Sequence, residues 1–265
     1  MDQFKSLIST RTIIANVPVS EKINIENLYN NLRLNYKIAN YPCEIVLAYF
    51  ENKIKGDLSF KKNNKNISFR NAVNIVISFP TNNLNIKIST NGSFQITGCK
   101  KKEHAYQAIE YIITLIRDTC PQLITKWTTP ITITFKLVMT NVVFSCGYNI
   151  DKNKLNKLLR EKSEFYNLFE TNFGYTGMNI KMLLDKNHER TLYFSTYDYD
   201  KNFWNHRSEN IHPHITNKKF NTFLVFHSGK IIMSGACEEL MLKDYLMFSQ
   251  FLKDNKDKII EKIEL

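Results

Sequence analysis

The sequence predicts an α+β fold of two similar halves, each a set of antiparallel strands backed by a long helix, and two observations carry that expectation. Residues 223–237, FLVFHSGKIIMSGAC, read as an alternating strand, a tight Ser228-Gly229 turn and a second strand ending at Gly235, followed at once by a helical pattern. Residues 84–99, LNIKISTNGSFQITGC, repeat the scheme: Gly92 and Gly98 stand where Gly229 and Gly235 stand, with five residues between the glycines in both copies. A self-similar unit of this kind sets the architecture before any local reading does. Antiparallel strands covered by helices on one side leave the other side open to a ligand.

In chain order, residues 12–17 alternate as a strand, and Ile25, Leu28 and Leu32 then share one helical face. Residues 34–66 read as an insertion, with a strand-like run at 45–50 and a polar loop, KKNNKN, at 61–66. Residues 69–79 form a strand pattern, and Pro80-Thr81-Asn82-Asn83 is a turn leading into the first hairpin. After Cys99, Ala105, Ala108, Ile109, Ile112, Leu115 and Ile116 lie along one helical stripe.

The second half repeats the order. Residues 135–146 form a long strand, Asp151 is a candidate N-cap, and Leu155, Leu158 and Leu159 make a short helical face. A helix-like segment at 165–169, a strand at 177–184 and a second insertion at 185–219 precede the strong hairpin. Superposing the glycines places Leu242, Tyr245, Leu246 and Leu252 on the buried stripe of the last helix. The halves are expected to divide as residues 1–120 and 121–265.

Composition bounds the function. The 265 residues are 43% hydrophobic, enough for a sizeable core. A net charge of +11 favours a polyanionic partner such as nucleic acid. Five scattered cysteines, odd in number and without a CxxC pair, suggest neither a disulfide framework nor a zinc module, and imply a reducing intracellular compartment. No apolar run reaches the roughly 18 residues of a membrane span, so no membrane partner is expected. Phosphate-binding loops, GxSxG elbows and paired-carboxylate motifs are missing, which speaks against an enzyme, and no cofactor is implied. His206, His212 and His214, near Asp198 and Asp200, lack the spacing of a metal site, and no metal is expected.

Residues 141–146 (NVVFSC), 175–182 (YTGMNIKM), 223–237 and, more faintly, 69–99 resemble the TATA-box-binding protein family, particularly the divergent versions encoded by large DNA viruses. The likeness spans nearly the whole chain apart from the two insertions and the ends. It implies two pseudo-symmetric lobes forming a saddle, long helices on its convex side and a concave sheet that binds AT-rich double-stranded DNA through the minor groove. It also implies partnership with transcription initiation factors and RNA polymerase, in the nucleus or a cytoplasmic viral factory, with packaging in the virion left open.

Minor-groove binders of this type need an apolar sheet face and wedge side chains that unstack a base step. Alternation puts Leu224 with Phe226, Ile232 with Ser234, and Asn141 with Val143 on common faces, at positions that touch DNA in the family. The resemblance makes Phe226 an intercalating wedge with Tyr175 or Phe173 beside it, Asn141 and Ser234 hydrogen-bonding groups, and Lys181 and Lys230 phosphate contacts. In the first half only Ile14, Thr97 and Phe69 fit, whereas Thr12, Lys87, Ser89 and Gln95 depart from the family pattern. Two other readings stay open. Phe226, Leu224 and Ile232 could belong to a strand buried on both faces, and the polar first half could mark an interaction scaffold with weak or lost DNA binding.

Overall fold

A computed structural model of the chain describes residues 2–19, 21–60, 71–121, 130–162, 164–168, 177–184, 190–198, 201–211 and 219–261. Its first half runs α1 (Asp2–Ser6), β1 (Ile8–Asn16), α2 (Ile25–Asn31), β2 (Glu44–Phe50), β3 (Lys53–Gly56), β4 (Ala72–Ser78), β5 (Asn83–Ser89), β6 (Ser93–Cys99) and α3 (Lys102–Thr119). The second half runs β7 (Thr132–Ser145), α4 (Lys152–Arg160), β8 (Tyr166–Leu168), β9 (Gly177–Leu183), β10 (Arg190–Asp198), β11 (Phe203–Ile211), β12 (Phe220–Phe226), β13 (Lys230–Gly235), α5 (Glu238–Asp254) and α6 (Lys256–Ile259). The pairings between these strands are antiparallel, so the α+β class holds. No helix among the described residues is long and apolar enough to cross a membrane.

The chain forms two compact units. The first comprises Arg11–Val138 and Thr191–Asn210; the second comprises Met1–Thr10, Met139–Arg190 and Ile211–Leu265. The division falls inside β1 and β7 rather than after residue 120, because each of these long strands supplies residues to both units.

In the first unit the strands pair in the order β3-β2-β4-β5-β6-β1. Alternation sends Ile13 and Ala15, Ile86 and Ile88, Phe94 and Ile96, and Ile75 and Ile77 into one core with the apolar stripes of α2 and α3. Asn24 caps α2 by accepting from the Asn27 backbone N–H at 2.9 Å. The predicted stripe of α3 is buried in full, and Glu110, Tyr111, Ile113 and Thr114 are buried as well, so this helix is enclosed on more than one side.

Neither expected insertion stands apart from the core. Within 34–66, β2 is hydrogen-bonded between β3 and β4, and Ile45, Leu47 and Ala48 are fully buried. Within 185–219, β10 pairs with β7, and Tyr197 and Trp204 join the core of the first unit. Strand residues with this burial would expose apolar surface and open ladder hydrogen bonds if excised.

The second unit orders its strands β8-β9-β12-β13-β7. Met178, Ile180 and Met182, Phe223 and Val225, Ile231 and Met233, and Val142 form one buried face, closed by Leu155 and Leu159 of α4 and by Met241, Phe248 and Leu252 of α5. Asp151 caps α4 as expected, its Oδ1 accepting from the N–H groups of Asn153 and Lys154 at 3.0 and 3.1 Å. Two readings are corrected here. The helix-like segment near 165–169 is the short strand β8 at Tyr166–Leu168, where pairing with β9 overrides local propensity. The buried stripe of α5 is Met241, Asp244, Phe248 and Leu252, while Leu246 is 58% exposed. The connection from Gly235 to α5 is one residue shorter than that from Gly98 to α3, which rotates the helical register by one position.

Candidate nucleic-acid interface

The hairpins bring the candidate residues together through their pairing. In the second unit Leu224 lies opposite both Asn179 and Ile232, and Ile232 lies opposite Val143, giving one cross-strand row Asn179–Leu224–Ile232–Val143. The next row reads Lys181–Thr222–Ser234–Asn141, and Phe226 lies opposite Gly177 at the hairpin end. All of these residues sit on the face opposite the core formed with α4 and α5. Phe226, Leu224, Ile232 and Val143 are half-buried, whereas Phe223, Val225, Ile231 and Met233 between them are fully enclosed. A strand buried on both faces is therefore not the environment of Phe226.

A Cβ added to Gly177 would lie 2.6 Å from Leu224 Cδ1 and 3.5 Å from Phe226 Cε1, so both side chains fold across the β9 backbone and make an apolar floor. Phe220 and the half-exposed Tyr166 extend it with ring centroids 5.8 Å apart. The hairpin turn depends on Gly229, at φ 74°, whose missing Cβ leaves room for the Tyr148 carbonyl; Gly92, at φ 76°, does the same for the Val17 carbonyl. Below the floor, Asn221 Nδ2 donates to Asp244 Oδ2 at 2.7 Å, tying β12 to α5. Burial pushes the Asp244 carboxyl up and the hydrogen bond from Asn221 opposes it.

The polar residues of the face are linked. Ser234 Oγ donates to Asn141 Oδ1 at 2.7 Å, and Asn141 Nδ2 donates to Thr10 Oγ1 at 3.3 Å. Lys181 Nζ lies 5.8 Å from the Phe220 ring centroid, and Lys230 is exposed at the start of β13. Tyr175, Phe173, His212, His214 and Asp200 lie outside the described residues, as does Phe69.

The first unit has the same pairing scheme with different side chains. Its rows read Asn74–Lys87–Gln95–Ile14 and Val76–Asn85–Thr97–Thr12. Ile14 and Thr97 thus share the face opposite α3, and Thr97 Oγ1 donates to the Asn85 carbonyl at 3.3 Å. Ser89 pairs with Ala72 where Phe226 pairs with Gly177, and a polar hollow of about 420 Å³ lined by Ala72, Lys87, Ser89 and Ser93 occupies that place.

Two residues of these rows went unnoticed in the sequence. Asn179 Oδ1 and Asn74 Nδ2 are buried without a hydrogen-bond partner, at matching places in the two pairing schemes. The alternation that puts Lys181 on this face puts Asn179 there too, so the signal was present. An unpaired buried amide atom costs about 1–3 kcal/mol, which a ligand group can recover.

Protein 335L of Invertebrate iridescent virus 6, an uncharacterized protein, is 30% identical over 269 aligned residues, covering 89% of this chain and 77% of that protein. The chain belongs to the 335L family. A TATA-box-binding protein-like protein of Acanthamoeba polyphaga mimivirus is 29% identical over 198 aligned residues, covering 68% of this chain and 46% of the relative, so the chain spans less than half of that protein's length. The resemblance to virus-encoded TATA-box-binding-protein-like chains is thereby borne out. Among solved structures, that of Methanococcus jannaschii TBP is similar with a TM-score of 0.48 and 15% identity, covering 93% of this chain and 96% of that one. No protein-family model matches the chain.

Proposed function

We propose that this member of the 335L family is a TATA-box-binding-protein-like transcription initiation factor that binds AT-rich DNA through the minor groove. The observation that carries the reading is the face of β9-β12-β13-β7 opposite the α4 and α5 core, where an apolar floor of Leu224, Phe226, Ile232 and Val143 is flanked by Lys181 and Lys230 in a chain of net charge +11. Apolar floor, wedge and flanking cations are the parts a groove-widening binder needs. On this reading the two matching pairing schemes are the pseudo-symmetric lobes of a saddle with helices on its convex side, and the partners are RNA polymerase and its initiation factors. The protein then acts in a nucleus or viral factory and is not an enzyme. Asn179 and Asn74 join Asn141 as amides directed at groove edges.

The test is an electrophoretic titration with a bend readout on AT-rich and GC-rich duplexes. Preferential binding and bending of the AT-rich duplex is expected; absence of bending on both would sink the proposal. Lys230→Ala should weaken binding to all sequences alike and lower the slope of log affinity against log salt by roughly one. Unchanged salt dependence would remove Lys230 from the interface.

The first unit favours a second reading, a scaffold that has lost DNA binding. Lys87, Gln95 and Ser89 replace apolar residues there, and the 420 Å³ hollow stands in place of a wedge. A folded protein with no measurable affinity for either duplex would move the assignment to that alternative.

A further inference from the structure

The first unit contains a cavity of about 690 Å³ between α3, the loop that follows α2, and the β10–β11 hairpin. Its hairpin wall lies outside the stretches that resemble TATA-box-binding proteins. We propose that this cavity binds an alkylammonium group, supplied by a lysine side chain of a partner protein or by a free polyamine.

Charge comes first. Glu103, Glu110 and Asp118 line the cavity with Arg117 as the lysine- or arginine-type cation, and Arg117 Nε is already held by Asp118 Oδ1 at 2.8 Å. Glu103 and Glu110 therefore remain without a lysine or arginine partner among the described residues, in a chain whose net charge is +11, so the cavity favours a cation over an anion. Glu110 is the decisive residue. It is 6% exposed, and its Oε1 has no hydrogen-bond partner. The nearest cationic candidate, His206 Nδ1, is 3.6 Å away and sits 3.0 Å from Ser195 Oγ instead. A buried carboxylate oxygen without a donor is completed by an N–H donor carrying positive charge.

The walls suit the alkyl part and the cation. Tyr41, Tyr106, Tyr197 and Trp204 line the cavity, with the Tyr197 and Trp204 ring centroids 5.2 Å apart. Arg117 already lies 4.9 Å over the Tyr197 ring, so this wall holds one cation by its π-face. Burial pushes the Glu110 carboxyl up to about 7, opposed by the Ser195 hydroxyl. The acid is half ionised near that value, so affinity for a cation should approach its full strength by about pH 8 and fall as pH drops through 7. The charged and titratable groups around it are Glu103, Tyr106, Arg117 and Asp118 on α3, Tyr41 from the loop, Tyr197 on β10 and His206 on β11.

The experiment is calorimetric titration of the full-length chain with n-butylammonium, neutral n-butanol, spermidine and a capped Gly-Lys-Gly peptide. n-Butylammonium should bind saturably at pH 8 and at least tenfold more tightly than n-butanol. Its affinity should fall about tenfold at pH 6, the change in ionised fraction for a group titrating near 7. Glu110→Gln should lose at least tenfold in affinity at pH 8 and melt no lower than the parent, since it removes a charge that burial disfavours. His206→Asn should keep the pH dependence. Tighter binding of the peptide than of spermidine assigns the site to a protein lysine, and the reverse order to a free polyamine. Equal binding of butanol and butylammonium, pH-independent affinity in the parent, or loss of the pH dependence in His206→Asn overturns the proposal. So does a Glu110→Gln protein that binds as the parent does. None of these outcomes depends on DNA.

Discussion

Replacing Phe223 by alanine is expected to destabilise the second unit by about 3–5 kcal/mol, the range for deleting a large aromatic from a packed core. Phe223 is fully buried on the helix-facing side of β12, and its ring centroid lies 4.5 Å from that of Phe248. Phe248 in turn contacts Phe165 at 5.9 Å and Phe251 at 6.3 Å, so truncation removes one member of an aromatic cluster that joins sheet, α5 and the segment before β8. The cost includes the cavity left behind as well as the lost burial of the ring. A urea titration that shows a lower midpoint with an unchanged slope would confirm the reading. A loss below about 1 kcal/mol would mean that β12 is not packed as described.

Much of this was legible before any coordinates. The spacing of Gly92 with Gly98 and of Gly229 with Gly235 specified both hairpins, and period-two alternation then sorted each strand residue to its face. That sorting holds in the first unit as well: Lys87, Gln95 and Thr97 lie in the rows that glycine superposition implies, so the polar character of that face is a property of the protein. What failed has a common cause. Glycine superposition carries the register of α3 across a connection that is one residue shorter, and a helix turns by about 100° per residue, enough to move Leu246 from core to surface. Residues 34–66 and 185–219 read as insertions because they have no counterpart in the repeat. Lacking a counterpart does not make a strand peripheral when its Ile45, Leu47, Tyr197 or Trp204 fills the core. The Glu110 cavity could not have been read at all, since it assembles residues from positions 38–41, 103–118 and 197–206, and no spacing rule links them.

Phe226→Ala, three residues from Phe223 and on the other face of the same strand, should have the opposite signature. Its side chain is half-buried above Gly177 and belongs to none of the core clusters, so its removal should cost no more than about 1.5 kcal/mol, as is usual for a partly exposed apolar group. On the proposed function it is the side chain able to enter a base step, because Leu224, Ile232 and Val143 sit in the middle of the floor while Phe226 stands at its hairpin end. Ser89 holds the matching place in the first unit, so that position supplies no second wedge. Unstacking a base step and bending the duplex should therefore fall to near the level of non-specific binding, with loss of the preference for AT-rich DNA. The salt dependence should survive, since Lys181 and Lys230 are untouched. The measurement is a bend assay on the AT-rich duplex beside a thermal melt of the same preparation. A variant that melts like the parent and no longer bends DNA supports the wedge; one that bends DNA as the parent does removes Phe226 from the mechanism, and one that unfolds would place it in the core that its half-exposed position excludes.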